Sequence, residues 1–172
     1  PTDPEVLVLR FAGPAGTKAL LVNYACHPVV LGPGNLLLSA DYPAYLRGVL
    51  ERVYPGAQVA FINGAAGDIN TGHHPRASVT EPSGPRRTFA EAERLGRILA
   101  GVALTAVEDA VELSGCRLAF AAANLDVALE PLPTETEYTN QAAAWEQRAR
   151  ELATRSAGYG EIREAEISAL WA

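Results

Sequence analysis

The order strand, loop, helix, strand between positions 19 and 62 restricts the fold of this chain more than any other feature. Residues 19–25 (ALLVNYA) and 58–62 (QVAFI) are short apolar runs that are typical of strands. Between them, apolar side chains repeat at helical spacing, at Tyr42, Tyr45, Leu46, Val49, Leu50 and Val53. A helical crossover between two strands of one sheet is right-handed and leaves the strands parallel. The pattern therefore predicts a βαβ unit.

A further strand is predicted ahead of this unit, at residues 6–11, followed by the turn sequence GPAG at 13–16. A connection this short favours an antiparallel pair. Apolar residues at consecutive strand positions predict burial on both faces of the sheet. The predicted fold class is therefore α/β, with a mixed β-sheet whose parallel βαβ core is covered by helices in a three-layer-like arrangement.

The second half of the chain follows a long Gly, Pro and His loop at 63–85. Thr88 with Glu91 predicts a capped helix that ends at 114–115, and residues 117–129 predict a fourth strand. Thr134 with Glu137 predicts a charged helix to about position 156, and a last helical turn or two ends at Trp171. We expect a single domain over 1–172, with an α/β core at 1–129 and a helical segment at 130–172, that is a fragment of a larger domain.

Charge and cysteine content exclude several classes of partner and site. The 172 residues carry a net charge of −6, and the basic residues do not cluster, which argues against nucleic acid and anionic membranes as main partners. Apolar runs are short, so no transmembrane segment is predicted. Cys26 and Cys116 give neither a disulfide framework nor a CxxC zinc pattern, and we expect both to be buried thiols.

Two polar clusters follow the predicted parallel strands. The first is NYACHP at 23–28, and the second is NGAAGDIN at 63–70. Because parallel strands end at the same edge of a sheet, both clusters should meet where α/β proteins gather their ligands. This edge is the candidate functional site.

Each cluster allows a functional and a structural interpretation. His27 is a metal ligand or a hydrogen-bonded histidine at a strand end. In the second cluster, Asp68 and Asn70 hydrogen-bond the backbone of a tight turn, or the small residues let backbone N–H groups approach an oxyanion. For His73 and His74 a solvated loop pair is favoured, because no third ligand is spaced nearby.

The segments NYACHPVVLGPGNLLLSADYPAYL and VAFINGAAGDIN resemble the N-terminal domain of the neutral and alkaline ceramidases. The likeness is closest to the uncharacterised bacterial proteins grouped with that family, and it covers roughly residues 4–113. The spacing from His27 through Ser39-Ala40-Asp41 to Gly67-Asp68 is shared as well as the short motifs. Little resemblance is visible from Leu129 onward.

The resemblance implies a zinc-dependent amidohydrolase that cleaves the N-acyl bond of ceramide or of a related small-molecule or lipid amide. It implies that His27 is a zinc ligand. At the same edge we expect Asp68 and Asn70 to be catalytic, and Gly67 and Asp41 to contact the substrate. The remaining ligands of that family come from an earlier histidine-rich segment and from downstream glutamate and tyrosine residues, neither of which is recognisable here. Zinc is therefore expected in a full-length parent, because one ligand does not hold zinc tightly.

One position departs from the resemblance. Ceramidases have a serine nucleophile two residues after the position of Asp68, where this chain has Asn70. An amide side chain does not accept an acyl group in the serine manner, so metal-activated water is the expected nucleophile. Asp68 would orient this water or act as its general base, and Asn70 would donate to the substrate carbonyl oxygen. Two alternatives stay open: a non-catalytic binding module that keeps the fold, and a structural domain whose polar edge has no function.

Overall fold

The computed structural model of this protein describes residues 3–73, 84–113, 119–128 and 131–171. The chain divides into two compact units, Pro1–Ala110 and Val111–Ala172. The first contains the strands β1 (Val6–Gly13), β2 (Gly16–Tyr24) and β3 (Gln58–Asn63) and the helices α1 (Asp41–Val53) and α2 (Phe89–Glu108). The second contains the helices α3 (Glu135–Thr154) and α4 (Tyr159–Trp171).

The three strands form a mixed sheet in the order β1-β2-β3. β1 runs antiparallel to β2, and the turn between them has Gly16 at a φ of +97°, a conformation that glycine adopts without strain. β2 runs parallel to β3, with Leu21 opposite Ala60. The predicted α/β class and the parallel pairing of these two strands are therefore confirmed.

Helices α1 and α2 pack against each other and cover one face of the sheet. Their approach is close at Gly96 of α2, where a Cβ atom would stand 2.5 Å from the main-chain oxygen of Tyr42 and 2.6 Å from Cβ of Tyr45. The core between the helices and the sheet consists of Leu20, Val22, Val30, Tyr42, Leu46, Leu50, Val59, Ala92, Leu99, Ala100, Ala103 and Val107.

The opposite face of the sheet is apolar but not buried. Leu7, Leu9, Phe11 and Ile62 each keep between 42% and 49% of their surface exposed. The prediction that the strands are buried on both faces is therefore wrong for this unit, because its two helices lie on the same side. Within the first unit the elements make two layers, a sheet and a pair of helices, and no third layer is formed by them.

The predicted fourth strand is wrong for residues 119–128, which have no regular secondary structure. Phe120 and Leu125 are almost fully exposed there, because the apolar segment has no neighbouring strand to pair with. The compact unit that contains the sheet ends at Ala110. Residues 117, 118 and 129 of that prediction lie outside the described residues. The helix predicted to end at 114–115 is shorter than expected: it ends at Glu108, and residues 110–113 have no regular secondary structure.

The helix starts agree with the predicted caps. The hydroxyl oxygen of Thr88 accepts a hydrogen bond from the Glu91 N–H, and Thr134 with Glu137 forms a complete capping box. α4 has 13 residues and is longer than the predicted turn or two. In the part of the chain that the structure describes, no helix is long and apolar enough to cross a bilayer.

Candidate functional site

The two polar clusters lie side by side at the carboxyl edge of the parallel strands. β2 and β3 end opposite each other, at Tyr24 and Asn63, and the Gly64 N–H donates to the Tyr24 carbonyl at 3.0 Å. The chains stay paired beyond the strands, where His27 forms an isolated parallel bridge with Asn70. The topology therefore brings together the two segments that the sequence analysis singled out.

His27 is attached to the second cluster through both its main chain and its ring. Its N–H donates to the Ile69 carbonyl at 2.9 Å, and its Nε2 atom lies 2.8 Å from the Gly67 carbonyl oxygen. The side chain is exposed. This contact places the imidazole beside the residue that precedes Asp68.

The 64–70 loop is a tight turn built from small residues. The Ala66 N–H donates to the Gly64 carbonyl and the Ile69 N–H donates to the Ala66 carbonyl, both at 2.7 Å. Gly67 has a φ of +52°, a left-handed conformation that costs energy for residues with a side chain. Asp68 is exposed beside it, and its carboxylate makes no hydrogen bond with the described residues. The Asp68 carboxylate is therefore exposed at the turn and accepts no hydrogen bond from the described residues.

The carbonyl oxygen of the Asn70 side chain stabilises the turn that follows it. Its Oδ1 atom accepts hydrogen bonds from the Gly72 N–H at 3.1 Å and from the His73 N–H at 2.8 Å. The prediction that Asn70 hydrogen-bonds the backbone of the turn is therefore confirmed for its Oδ1 atom. The Nδ2 end makes no hydrogen bond within the described ranges, and it is left as a donor.

Asp41 differs from the other predicted site residues because it is buried, with 5% of its surface exposed. Its Oδ2 atom accepts from the Leu31 N–H at 2.9 Å and its Oδ1 atom accepts from the Tyr42 N–H at 2.7 Å. Its own N–H donates to Ser39 Oγ at 2.9 Å. These contacts show that Asp41 holds the loop before α1 in place, and its contact with a substrate stays a prediction.

Tyr42 was predicted only as a residue of the apolar helix face, but it also holds the segment that carries His27. Its buried hydroxyl donates to the Cys26 carbonyl at 2.6 Å, and its ring meets that of Phe61 edge to face. Burial raises the pKa of Tyr42 far above its usual range, so the hydroxyl stays a donor. The sequence did offer a signal: Tyr42 carries a hydroxyl group on the same buried helix face as Leu46 and Leu50, and a buried hydroxyl needs a hydrogen-bond partner.

Two further groups near the edge are buried. The Cys26 thiol is free, as predicted, and burial raises the pKa of that thiol. The Thr71 hydroxyl oxygen is buried and has no hydrogen-bond partner among the described residues. The buried-thiol prediction for Cys116 lies outside the described ranges.

His27 fits one ligand of a metal site, because its ring is exposed and one ring nitrogen contacts a main-chain carbonyl. Within the described residues, however, no three His, Cys, Asp or Glu side chains lie close enough to hold a metal ion together. The described residues therefore do not complete a zinc site, and no reaction step through zinc is assigned to them. His74, one of the predicted solvated pair, lies outside the described residues.

Comparison with protein families, with characterised protein sequences and with solved structures finds no match to this chain. The likeness to the ceramidases accordingly rests on the motifs and on the spacing from His27 to Asp68. The fold belongs to the α/β class, and fold class alone does not specify a reaction.

Proposed function

We propose that this chain contributes part of the active site of an amidohydrolase that cleaves an N-acyl amide bond, as the ceramidases do. One observation carries the proposal: His27 is bonded through its main chain to Ile69 and through its ring to Gly67. This contact unites the two motifs of the resemblance at the sheet edge where α/β proteins bind ligands. If zinc binds here as in the ceramidases, His27 would be one of its ligands, and the metal would supply an activated water.

The three other residues of the edge have distinct proposed roles. Asp68 is the general base, because its carboxylate is exposed in the turn and is not occupied by the hydrogen bonds of the described residues. Asn70 donates through Nδ2 to the substrate carbonyl oxygen while its Oδ1 atom keeps the turn closed. Gly67 exposes its backbone, because a Cβ atom there would meet nothing within 4 Å.

The test compares variants of the full-length parent on a panel of N-acyl amides, with the released amine and fatty acid measured by mass spectrometry. Asp68→Asn is expected to lower the maximal rate by about 100-fold or more, as loss of a general base does. The matched control is Asp109→Asn, because Asp109 is an exposed carboxylate at the end of α2. Full activity in Asp68→Asn would overturn its role as the base.

Asn70 allows its two functions to be separated. Asn70→Asp keeps the acceptor that closes the turn and removes the Nδ2 donor, whereas Asn70→Ala removes both. We expect both variants to lose activity and only Asn70→Ala to loosen the turn, which amide hydrogen exchange at Gly72 and His73 would report. Undiminished turnover by Asn70→Asp would exclude the donor role.

A binding module without catalysis is the second candidate. It is favoured by Asn70 at the position of the expected serine and by the incomplete set of metal ligands in the described part of the chain. A folded parent that binds an N-acyl amide but releases neither product from any member of the panel would support this candidate and exclude the hydrolase.

A further inference from the structure

Three leucines in succession form the tip of the loop that connects β2 to α1. Leu36 and Leu38 are almost fully exposed, and Leu37 keeps 68% of its surface exposed. Exposed apolar side chains normally occur singly, whereas contiguous ones mark a surface that meets an apolar partner. Because this loop begins beside His27, such a partner would lie near the edge that carries the candidate site.

The loop is tied together at its base. The Leu31 N–H donates to Asp41 Oδ2 at 2.9 Å, which joins the two ends of the segment. The Arg87 side chain lies against Gly32 so closely that a Cβ atom there would stand 2.5 Å from Arg87 Cδ. Residues 31–41, the leucine loop, therefore form a compact surface loop of the kind that frequently carries function.

The backbone at the tip of the leucine loop is suited to an apolar environment. The Asn35 side chain accepts from the Leu37 N–H at 3.2 Å through Oδ1 and donates to the Leu37 carbonyl at 2.9 Å through Nδ2. Main-chain polar groups that enter lipid without a hydrogen-bond partner are strongly destabilising. The middle leucine therefore keeps its backbone hydrogen bonds when water is removed from around it.

The charge around the tip indicates which kind of apolar partner fits. The stretch between His27 and Asp41 contains no charged residue, and the chain as a whole carries a net charge of −6. Anionic lipids repel a negatively charged chain, whereas zwitterionic lipids do not. We propose that the leucine loop inserts Leu36, Leu37 and Leu38 shallowly into the surface of a zwitterionic phospholipid membrane.

The shape and the size of the patch favour a membrane over a second copy of the chain. Side chains that are almost fully exposed project from the surface, so they enter a fluid lipid layer but do not line a groove. Three leucines also offer much less than the roughly 800 Å² that each partner buries in a stable protein interface. A lipid layer needs no such area, because it deforms around a small apolar tip.

The role of the leucine loop rests on the proposed function. A lipid amide is held in a membrane, and an enzyme that acts on it must work at the membrane surface. The loop leaves β2 at the same edge as His27 and the 64–70 turn. Its insertion would hold that edge at the lipid surface, where the N-acyl bond of such a substrate lies.

The experiment is flotation of the chain with phosphatidylcholine vesicles at millimolar lipid. We expect the chain to float with the vesicles, equally at about 0.1 M and about 1 M salt, because apolar insertion is not screened by ions. Addition of phosphatidylserine should not strengthen the binding. The test variant combines Leu36→Ser, Leu37→Ser and Leu38→Ser, and its vesicle binding should be weaker by about 100-fold or more, because leucine burial no longer contributes.

The matched control combines Leu113→Ser, Leu132→Ser and Leu170→Ser, which replace three leucines that are 72% to 77% exposed elsewhere in the chain. Its vesicle binding should equal that of the wild type. Circular dichroism should show the wild-type fold for both triple variants, because exposed side chains contribute little to stability. The wild-type flotation decides the question even if the leucine-loop variant does not fold.

Several results would overturn the inference: no flotation of the wild type, flotation that is lost at high salt or requires phosphatidylserine, or equal flotation of the leucine-loop variant. Self-association without lipid that this variant abolishes, seen by sedimentation, would assign the tip to a second copy instead. The proposed function fails separately. Vesicle binding by a parent that hydrolyses no amide sinks the function alone, and hydrolysis of a water-soluble short-chain amide by a parent that binds no vesicle sinks the inference alone.

Discussion

The hydroxyl group of Tyr42 donates a 2.6 Å hydrogen bond to the main-chain carbonyl of Cys26, the residue before His27. The bond joins the first turn of α1 to the segment that leaves β2. Asp41, the neighbour of Tyr42, holds the N–H of Leu31 in the same connection. The helix start therefore supports the segment that carries the candidate site.

Removal of the Tyr42 hydroxyl should destabilise the chain. Tyr42→Phe leaves the Cys26 carbonyl without this donor in a buried position, and we expect the free energy of unfolding to fall by about 1–3 kcal/mol. Urea denaturation followed by circular dichroism measures it. Tyr45→Phe is the control, because the Tyr45 hydroxyl makes no hydrogen bond with the described residues and its ring is only half-buried. Equal losses in the two variants would contradict the role of the bond.

The same tyrosine predicts a loss of stability at alkaline pH. Burial raises the pKa of folded Tyr42 above its ordinary value of 10.0. A group whose pKa is raised by folding stabilises the protein fully below its unfolded pKa, and this contribution is lost as the pH rises above that value. Unfolding free energies measured from pH 9 to 11 should therefore fall less steeply above pH 10.0 in Tyr42→Phe than in the wild type. Parallel curves would refute this.

Two aspartates of the predicted site should differ in how much stability they lose on the same substitution. Asp41→Asn replaces one carboxylate acceptor by an NH₂ group that faces a backbone N–H, and we expect a loss of about 1–3 kcal/mol in the free energy of unfolding. Asp68→Asn alters an exposed side chain, so its stability should change by less than about 0.5 kcal/mol. Thermal denaturation compares them, and a destabilised Asp68→Asn would show that this carboxylate has a structural task.

The packing of α1 on α2 predicts different outcomes for two glycines of one helix. Gly96→Ala would place a methyl group against the Tyr42 backbone, and overpacking of this kind costs about 1–3 kcal/mol. Gly101→Ala meets nothing within 4 Å and should stabilise the chain by up to about 1 kcal/mol through helix propensity. Chemical denaturation of both variants checks the pair. Similar stability in the two would mean that the helices are not in close contact at Gly96.

Zinc should bind the chain only weakly. Isothermal titration is expected to give a dissociation constant weaker than about 1 µM, which corresponds to less than about 8 kcal/mol of binding free energy. The reason is that the described residues contain no group of three metal-binding side chains. His27→Gln serves as the comparison. Tight binding that survives His27→Gln would reveal ligands other than those of the candidate site, with His73 and His74 the first to substitute.

Short-range patterns in the sequence were sufficient for most of the secondary structure. The caps at Thr88 and Thr134 use residues three positions apart, and the strand periodicities use residues two positions apart, so each can be read within one segment. The parallel order of β2 and β3 follows from their connection through a helix, because the handedness of such crossovers leaves little choice. This order also placed His27 and the 64–70 loop at one edge.

Contacts between distant segments were decided only by the tertiary structure. Whether the apolar face with Leu9 and Phe11 is covered depends on where two helices pack, and periodicity cannot distinguish the two faces of such a sheet. Likewise, Arg117 to Leu129 has the composition of a strand, yet residues 119–128 pair with no neighbour.

The candidate site shows the same division. Its residue types and its place at the sheet edge were determined by the sequence, through the motifs and the order of the elements. The contacts of Tyr42 with Cys26 and of the His27 ring with Gly67 were decided by tertiary structure. The physical reason is that a hydrogen bond needs its donor and acceptor within about 3 Å, and only packing brings atoms from such distant positions that close.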